Sequence, residues 1–224
     1  MPLGARLAEA FRVPVVVEND VRAAAWGEFM ACTDGRGSLL AVFVGTGVGS
    51  GAVLDGRLWR GAGNAAGEVG HTQVVPDGLP CRCGRRGCLE QYVSGSGFQR
   101  RFEAAMTARR PSRLVDVCGG DASRLTARDV YATAVGGDAL ALEFWTDAVR
   151  FFTMAVANTV TVLNPAVLVL GGGVIETVPA LFEKVAETVP NLTTILAGRS
   201  LRIDRARLGD LSGLIGAAAL AAAA

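Results

Sequence analysis

Apolar residues along the chain gather in short continuous runs, set between longer stretches of helical spacing. VPVVV (13–17), LLAVFV (39–44) and VLVL (167–170) are aliphatic and rich in β-branched residues, and they read as buried strands. LGARLAEAF, ahead of the first run, reads as a short helix. After the first run comes END and then VRAAAWGEFMAC, in which Val21, Ala25, Phe29 and Cys32 recur at helical spacing. Either Asn19 or Asp20 caps that helix. The second run leads into GTGVGSG, then AVL, Asp55-Gly56 and RLW; Asp-Gly between apolar runs predicts a hairpin. Residues 61–97 carry many glycines and predict irregular structure until FQRRFEAAM. A long helical pattern over roughly 139–163 stops before Asn164-Pro165. The third run is followed by Gly171-Gly172-Gly173, the helix PALFEKVAETV, a short strand near LRID and an alanine-rich closing helix. Strands alternating with helices indicate an α/β fold, and glycine loops after buried strands are where such folds bind ligands.

Composition narrows the functional classes. Half the residues are hydrophobic and the formal net charge is +1, so the chain has no basic footprint for nucleic acid. No apolar run reaches the roughly 20 residues that span a bilayer. The opening MPLGARLAEAFRVP lacks a charged head followed by a long apolar stretch, so a cytoplasmic location is expected. Three of the five cysteines, Cys81, Cys83 and Cys88, fall in C-x-C-x4-C a short loop after His71, the only histidine. One imidazole and three thiolates make a full tetrahedral zinc set, and four protein ligands make such a zinc structural. Cys32 and Cys118 stand apart and are expected to pack as small apolar residues.

Three carboxylates lie close to these features. Glu68 precedes His71 by three residues, and Glu90 follows Cys88 by two. Each reads either as a solvated surface residue or as an acceptor for the hydroxyls of a polyol. Asp20 reads as a helix cap, a proton acceptor, or both, since a carboxylate at a helix N-terminus is stabilised as the anion. GTGVGSG is neither a P-loop nor a dinucleotide fingerprint. It is a plain tight turn or a phosphate cradle with Thr46 adding a hydroxyl. The Gly171–Gly173 loop permits close backbone approach to a nucleotide.

Together these segments resemble the ROK family (repressor, open reading frame, kinase). ENDVRAAAWGE looks like its catalytic motif, and FVGTGVGSGAVLDGRLWRGAGNAAGEVGH looks like its second phosphate motif running into the sugar-binding stretch. CRCGRRGCLE looks like its zinc signature, VLVLGGGV like its adenosine motif and LIGAAALA like its closing helix. The resemblance implies an actin-like ATPase (RNase H-like) fold and a glucokinase-like enzyme. Such an enzyme uses ATP and magnesium to phosphorylate a hexose or N-acyl hexosamine, and works as a homo-oligomer such as a dimer without membrane or nucleic-acid partners. It implies that Asp20 accepts the sugar hydroxyl proton and that Asn19, Asp20, Glu68, His71 and Glu90 contact the sugar. Gly45, Thr46 and Gly47 then face phosphate, and Gly171, Gly172 and Gly173 the adenosine, while His71, Cys81, Cys83 and Cys88 hold structural zinc. The family's opening Asp-x-Gly-Gly-Thr motif is absent from the chain. Residues 1–19 are therefore expected to be a remnant of the N-terminal lobe, 20–205 the C-terminal lobe and 206–224 the closing helix, with little kinase activity in the chain alone. The alternatives are the sugar-sensing portion of a ROK repressor and a non-catalytic remnant; Thr46 and the END triplet favour the kinase.

Overall fold

The computed structural model describes residues 3–223. β1 (Leu39–Val44), β2 (Val48–Leu54) and β3 (Arg57–Trp59) form an antiparallel meander. Asp55 and Gly56 both have positive φ, as the tight hairpin between β2 and β3 requires. β4 (Val167–Gly171) joins the other side of β1 in parallel, and β5 (Arg202–Arg205) pairs in parallel with β4. The sheet order is β3-β2-β1-β4-β5.

Helices cover both faces. In chain order they are α1 (Leu3–Phe11), α2 (Asp20–Thr33), α3 (Glu90–Val93), α4 (Gly95–Thr107), α5 (Leu114–Cys118) and α6 (Ala127–Val135). They continue with α7 (Ala139–Leu163), α8 (Gly173–Thr177), α9 (Pro179–Leu192), α10 (Ile195–Ser200) and α11 (Ser212–Ala222). Side chains alternate across the sheet, as the period of two demands. Leu39, Ala41, Val167 and Val169 face Ala25, Phe29 and Cys32 of α2, with Leu220 of α11 packed beside them. Leu40, Val42, Leu168 and Leu170 face the larger core built from α4, α6, α7 and α9.

α11 lies along α2 at very short range: a Cβ on Gly216 would stand 1.7 Å from the carbonyl oxygen of Ala23. The closing helix is thus a layer of the same body. Glu28 of α2, fully buried, fastens this layer. Its carboxylate accepts from the Arg207 and Leu208 backbone N–H groups at 2.8 and 3.0 Å, and from Ser212 Oγ at 2.8 Å.

One expected strand does not form. VPVVV is unpaired backbone between α1 and α2, with Val13 53% and Val17 55% exposed. A strand exists through its ladder, and no described strand lies beside residues 13–17. The expectation for 61–97 also needs adjustment. α4 starts at Gly95, because the Ser94 side chain accepts from the Gly97 N–H at 3.0 Å and starts the helix through two glycines. Among the described residues no helix is long and apolar enough to cross a membrane.

Candidate functional site

The first site element is the junction before α2. Asn19 caps the helix, its side-chain oxygen accepting from the Arg22 N–H at 3.0 Å. Asp20 is the first helical residue and is exposed; its Oδ1 accepts from the Val21 N–H at 2.9 Å. Asp20 lines a cleft of about 260 Å³ together with Phe43, Gly172, Glu176 and Asp210. Asp20 and the glycine loop after β4 therefore share one cavity. Gly172 adopts φ +89, and a Cβ there would stand 2.6 Å from the Val44 carbonyl oxygen. Only glycine lets this loop pass so close to β1. The neighbouring Gly173 has open space where its side chain would be.

The second element is the turn between β1 and β2. Gly45 N–H donates to the Gly47 carbonyl at 2.9 Å, and Thr46 stands exposed at the tip. The start of α4 braces this turn, with Gly95 N–H bonded to Gly45 O and Ser96 N–H to Thr46 O. Glu90 braces it from α3, its Oε2 accepting from the Val48 N–H at 3.0 Å. Half of the Glu90 carboxylate is thus committed to holding the turn.

The third element is the cysteine knot. His71 Nδ1 lies 3.6 Å from Cys81 Sγ, and Cys83 Sγ lies 3.6 Å from Cys88 Sγ. The four donor atoms all fall within 4.8 Å of one another. That spacing and donor set fit one tetrahedral zinc. The buried Gln91 amide donates to Cys81 Sγ at 3.3 Å, the kind of outer partner that orients a thiolate ligand. The Arg85 backbone N–H draws the Cys83 thiol down to about 6, whereas burial and the neighbouring sulfurs push Cys88 up to about 12. A divalent cation held by these four donors would stabilise all the thiolates at once.

Asp20 and Glu68 each line a described cleft. Asp20 lines the cleft with Gly172, whereas Glu68 lines a larger and mostly apolar cleft of about 500 Å³ with Trp59, Asn158 and Thr159. The two regions are joined by residues that the motif reading left without a role. Glu18 accepts from Arg22 Nε at 2.7 Å and from Arg60 Nε at 2.6 Å. Arg22 then reaches Asn64 across the chain. The i, i+4 spacing of Glu18 and Arg22 was a visible signal, although Glu18 lies ahead of the helix. Nothing in the local sequence marks Gln91 or Asn64.

The ROK family model matches residues 1–224. The chain belongs to the ROK family. It is 36% identical over 222 residues to a glucokinase of Halalkalibacterium halodurans, covering 96% of this chain and 66% of that protein. It is 31% identical over 227 residues to a glucokinase of Streptomyces coelicolor, covering 98% and 71% respectively. This ROK chain thus spans about two thirds of the length of these curated relatives. Among solved structures, a ROK hexokinase from Thermus thermophilus matches with TM-score 0.80 at 33% identity, over 97% of this chain and 68% of that one. A ROK glucokinase from Streptomyces griseus, solved with glucose and AMPPNP, matches with TM-score 0.77 at 31% identity, over 100% and 73%. A ROK transcriptional regulator matches with TM-score 0.78 at 28% identity, covering 99% of this chain and 55% of that one.

Proposed function

We propose that this chain carries the sugar-binding and phosphate-facing part of an ATP-dependent kinase for a hexose or N-acyl hexosamine. The observation that carries the reading is Asp20: an exposed carboxylate at a helix start, beside the capping Asn19, in a cleft shared with the Gly172 loop. Phosphoryl transfer asks chiefly for positioning and charge stabilisation. Asp20 accepts the proton of the sugar hydroxyl as its oxygen bonds to the γ-phosphorus and the bond to the bridging oxygen breaks, releasing ADP. Asn19 has its side-chain oxygen occupied by the Arg22 N–H, so its amide NH₂ is left to donate to the sugar. Glu68 and the uncommitted oxygen of Glu90 accept from sugar hydroxyls, and His71 offers Nε2 on the side away from the thiols. Gly45, Thr46 and Gly47 meet the phosphates, and Gly171, Gly172 and Gly173 meet the adenosine. Magnesium would be held by the nucleotide phosphates and would offset their charge. His71, Cys81, Cys83 and Cys88 would hold a structural zinc that stiffens the loop and takes no part in the transfer.

The relatives named glucokinase and N-acetylmannosamine kinase support this substrate class. A regulator that only senses sugar needs neither a proton acceptor at Asp20 nor the Thr46 hydroxyl, so the kinase is the preferred reading. The test is a coupled ADP-release assay on glucose, mannose and N-acetylmannosamine, with the remaining third that the relatives carry supplied from one of them. Asp20→Asn keeps the capped helix and lowers kcat by about 10²–10⁴-fold with little change in KM. A kcat close to that of the unsubstituted protein would leave Asp20 as a helix residue only.

A further inference from the structure

The proposed sugar contacts arrive on two pieces of chain. Asn19 and Asp20 stand at the start of α2, and Glu68 stands on the loop after β3. Arg22 spans the gap. Its Nε donates to Glu18, its Nη1 to the Asn64 carbonyl at 2.9 Å, and its Nη2 to Asn64 Oδ1 at 3.0 Å. A longer contact from Nη1 reaches the Ala66 carbonyl at 3.5 Å. These partners lie 42 and 44 residues away along the chain.

An ordinary helical i, i+4 ion pair is exposed and contributes little. This pair is different, since the Arg22 and Glu18 side chains are each 5% exposed. Burying two charges is costly unless the remaining donors and acceptors are satisfied. Here the planar guanidinium fork meets oxygens along three directions, a geometry that lysine does not reproduce.

The segment that Arg22 holds is closed on itself. Ala66 N–H donates to the Arg60 carbonyl at 3.1 Å, Asn64 N–H to that of Gly61, and Asn64 takes the left-handed region with φ +56. Arg22 fills the inner side of this loop while Arg60, at its base, returns to Glu18. Just beyond, Ser50 Oγ donates to the Gly67 carbonyl, and the His71 N–H donates to that of Glu68. Glu68 therefore lies between two anchors: the Arg22 clamp on one side and the cysteine knot on the other.

We propose that Arg22, oriented by Glu18, is a positioning residue that fixes the Glu68 loop against the Asn19–Asp20 junction so that both pieces meet one sugar. The role rests on the sugar-kinase reading. It predicts that the loop loosens and the sugar affinity falls together when the fork is lost, although Arg22 itself need not touch the sugar.

The experiment uses the 224-residue chain. Hydrogen exchange is followed over 60–68, with α7 exchange and zinc content as controls, beside calorimetric titration with glucose, mannose and N-acetylmannosamine. Arg22→Met is expected to speed exchange over 60–68 at least tenfold and to weaken sugar binding about tenfold, with both controls unchanged. Arg22→Lys, which keeps charge and stem, is expected to recover only part of the affinity. It replaces the methionine variant as the decisive one if the latter loses cooperative unfolding. Exchange over 60–68 that stays at the wild-type rate in either folded variant overturns the clamp. Faster exchange with full sugar affinity overturns the positioning role alone. A wild type that binds none of the three sugars overturns the kinase reading, and the positioning role with it.

Discussion

VLVL (167–170) and VPVVV (13–17) look nearly alike as strings, yet one became an interior strand of the sheet and the other joined no described sheet. β4 has β1 on one side and β5 on the other, and its side chains are buried on both faces. Residues 13–17 are β-branched too, but no described strand pairs with them, and Val13, Val16 and Val17 remain exposed. The difference lies in the surroundings. β-propensity measures fit to a pleated, half-buried surface, so an apolar run becomes a strand only where a neighbour offers a ladder and a core. The cysteine knot is a third case. Its segment has little regular structure and depends on side-chain donors brought within 4.8 Å.

Substitutions in the knot, in β4 and in residues 13–17 separate the three cases. The largest effect is expected at the knot. Cys88→Ser removes a fully buried member of the proposed zinc set, and the protein purified without added zinc is expected to fall from about one equivalent of zinc to less than half. Structural zinc contributes folding free energy directly, so the loss is expected to reach several kcal/mol and a fall in Tm of about 10 °C. Full zinc content in the variant would show that the four donors do not share one ion. Next comes the paired strand: Leu168→Ala in β4 is expected to cost about 2–5 kcal/mol in denaturant unfolding, because the side chain is fully buried in the larger core. Val13→Ala, in the unpaired run, is expected to stay within about 0.5 kcal/mol. Equal losses at the two positions would mean that 13–17 is packed in solution.

A smaller effect is expected at Asp138, the cap of α7. Burial pushes its carboxyl up, but the Ala141 and Arg113 N–H groups and the Ser112 hydroxyl outweigh this and hold it below its usual 3.8. A depressed carboxylate stabilises the fold above its unfolded pKa and loses that contribution as pH falls through the folded value. The Asp138→Asn variant is expected to be about 1 kcal/mol less stable at pH 7, with the gap closing below about pH 4. A gap independent of pH would assign the effect to shape.

Much of the fold was legible wherever two local signals agreed. α7 begins after an aspartate cap and ends at Asn164 before Pro165, matching its periodicity. The β2–β3 hairpin follows from Asp55-Gly56. α6 was legible in principle from the Thr126–Asp129 capping box, a two-residue signal in a polar stretch. The knot could be read because its donors lie close in sequence. Unreadable were contacts between distant residues: Arg22 with Asn64, Glu28 with the turn before α11, and Glu90 with the Val48 N–H. The clefts that Asp20 and Glu68 line were equally hidden, since cavity shape follows from the packing of β3, α7 and α2, which no motif describes.

Divided roles within one sugar site are tested by calorimetric titration of hexose into three forms of the protein: wild type, Asp20→Asn and Glu68→Gln. The wild type is expected to bind, Asp20→Asn to bind with nearly the same affinity because the proton acceptor matters in turnover, and Glu68→Gln to lose roughly tenfold or more through its charge-assisted hydrogen bond. Equal affinity in Glu68→Gln and the wild type, or no heat of binding in any of the three, would contradict the divided roles.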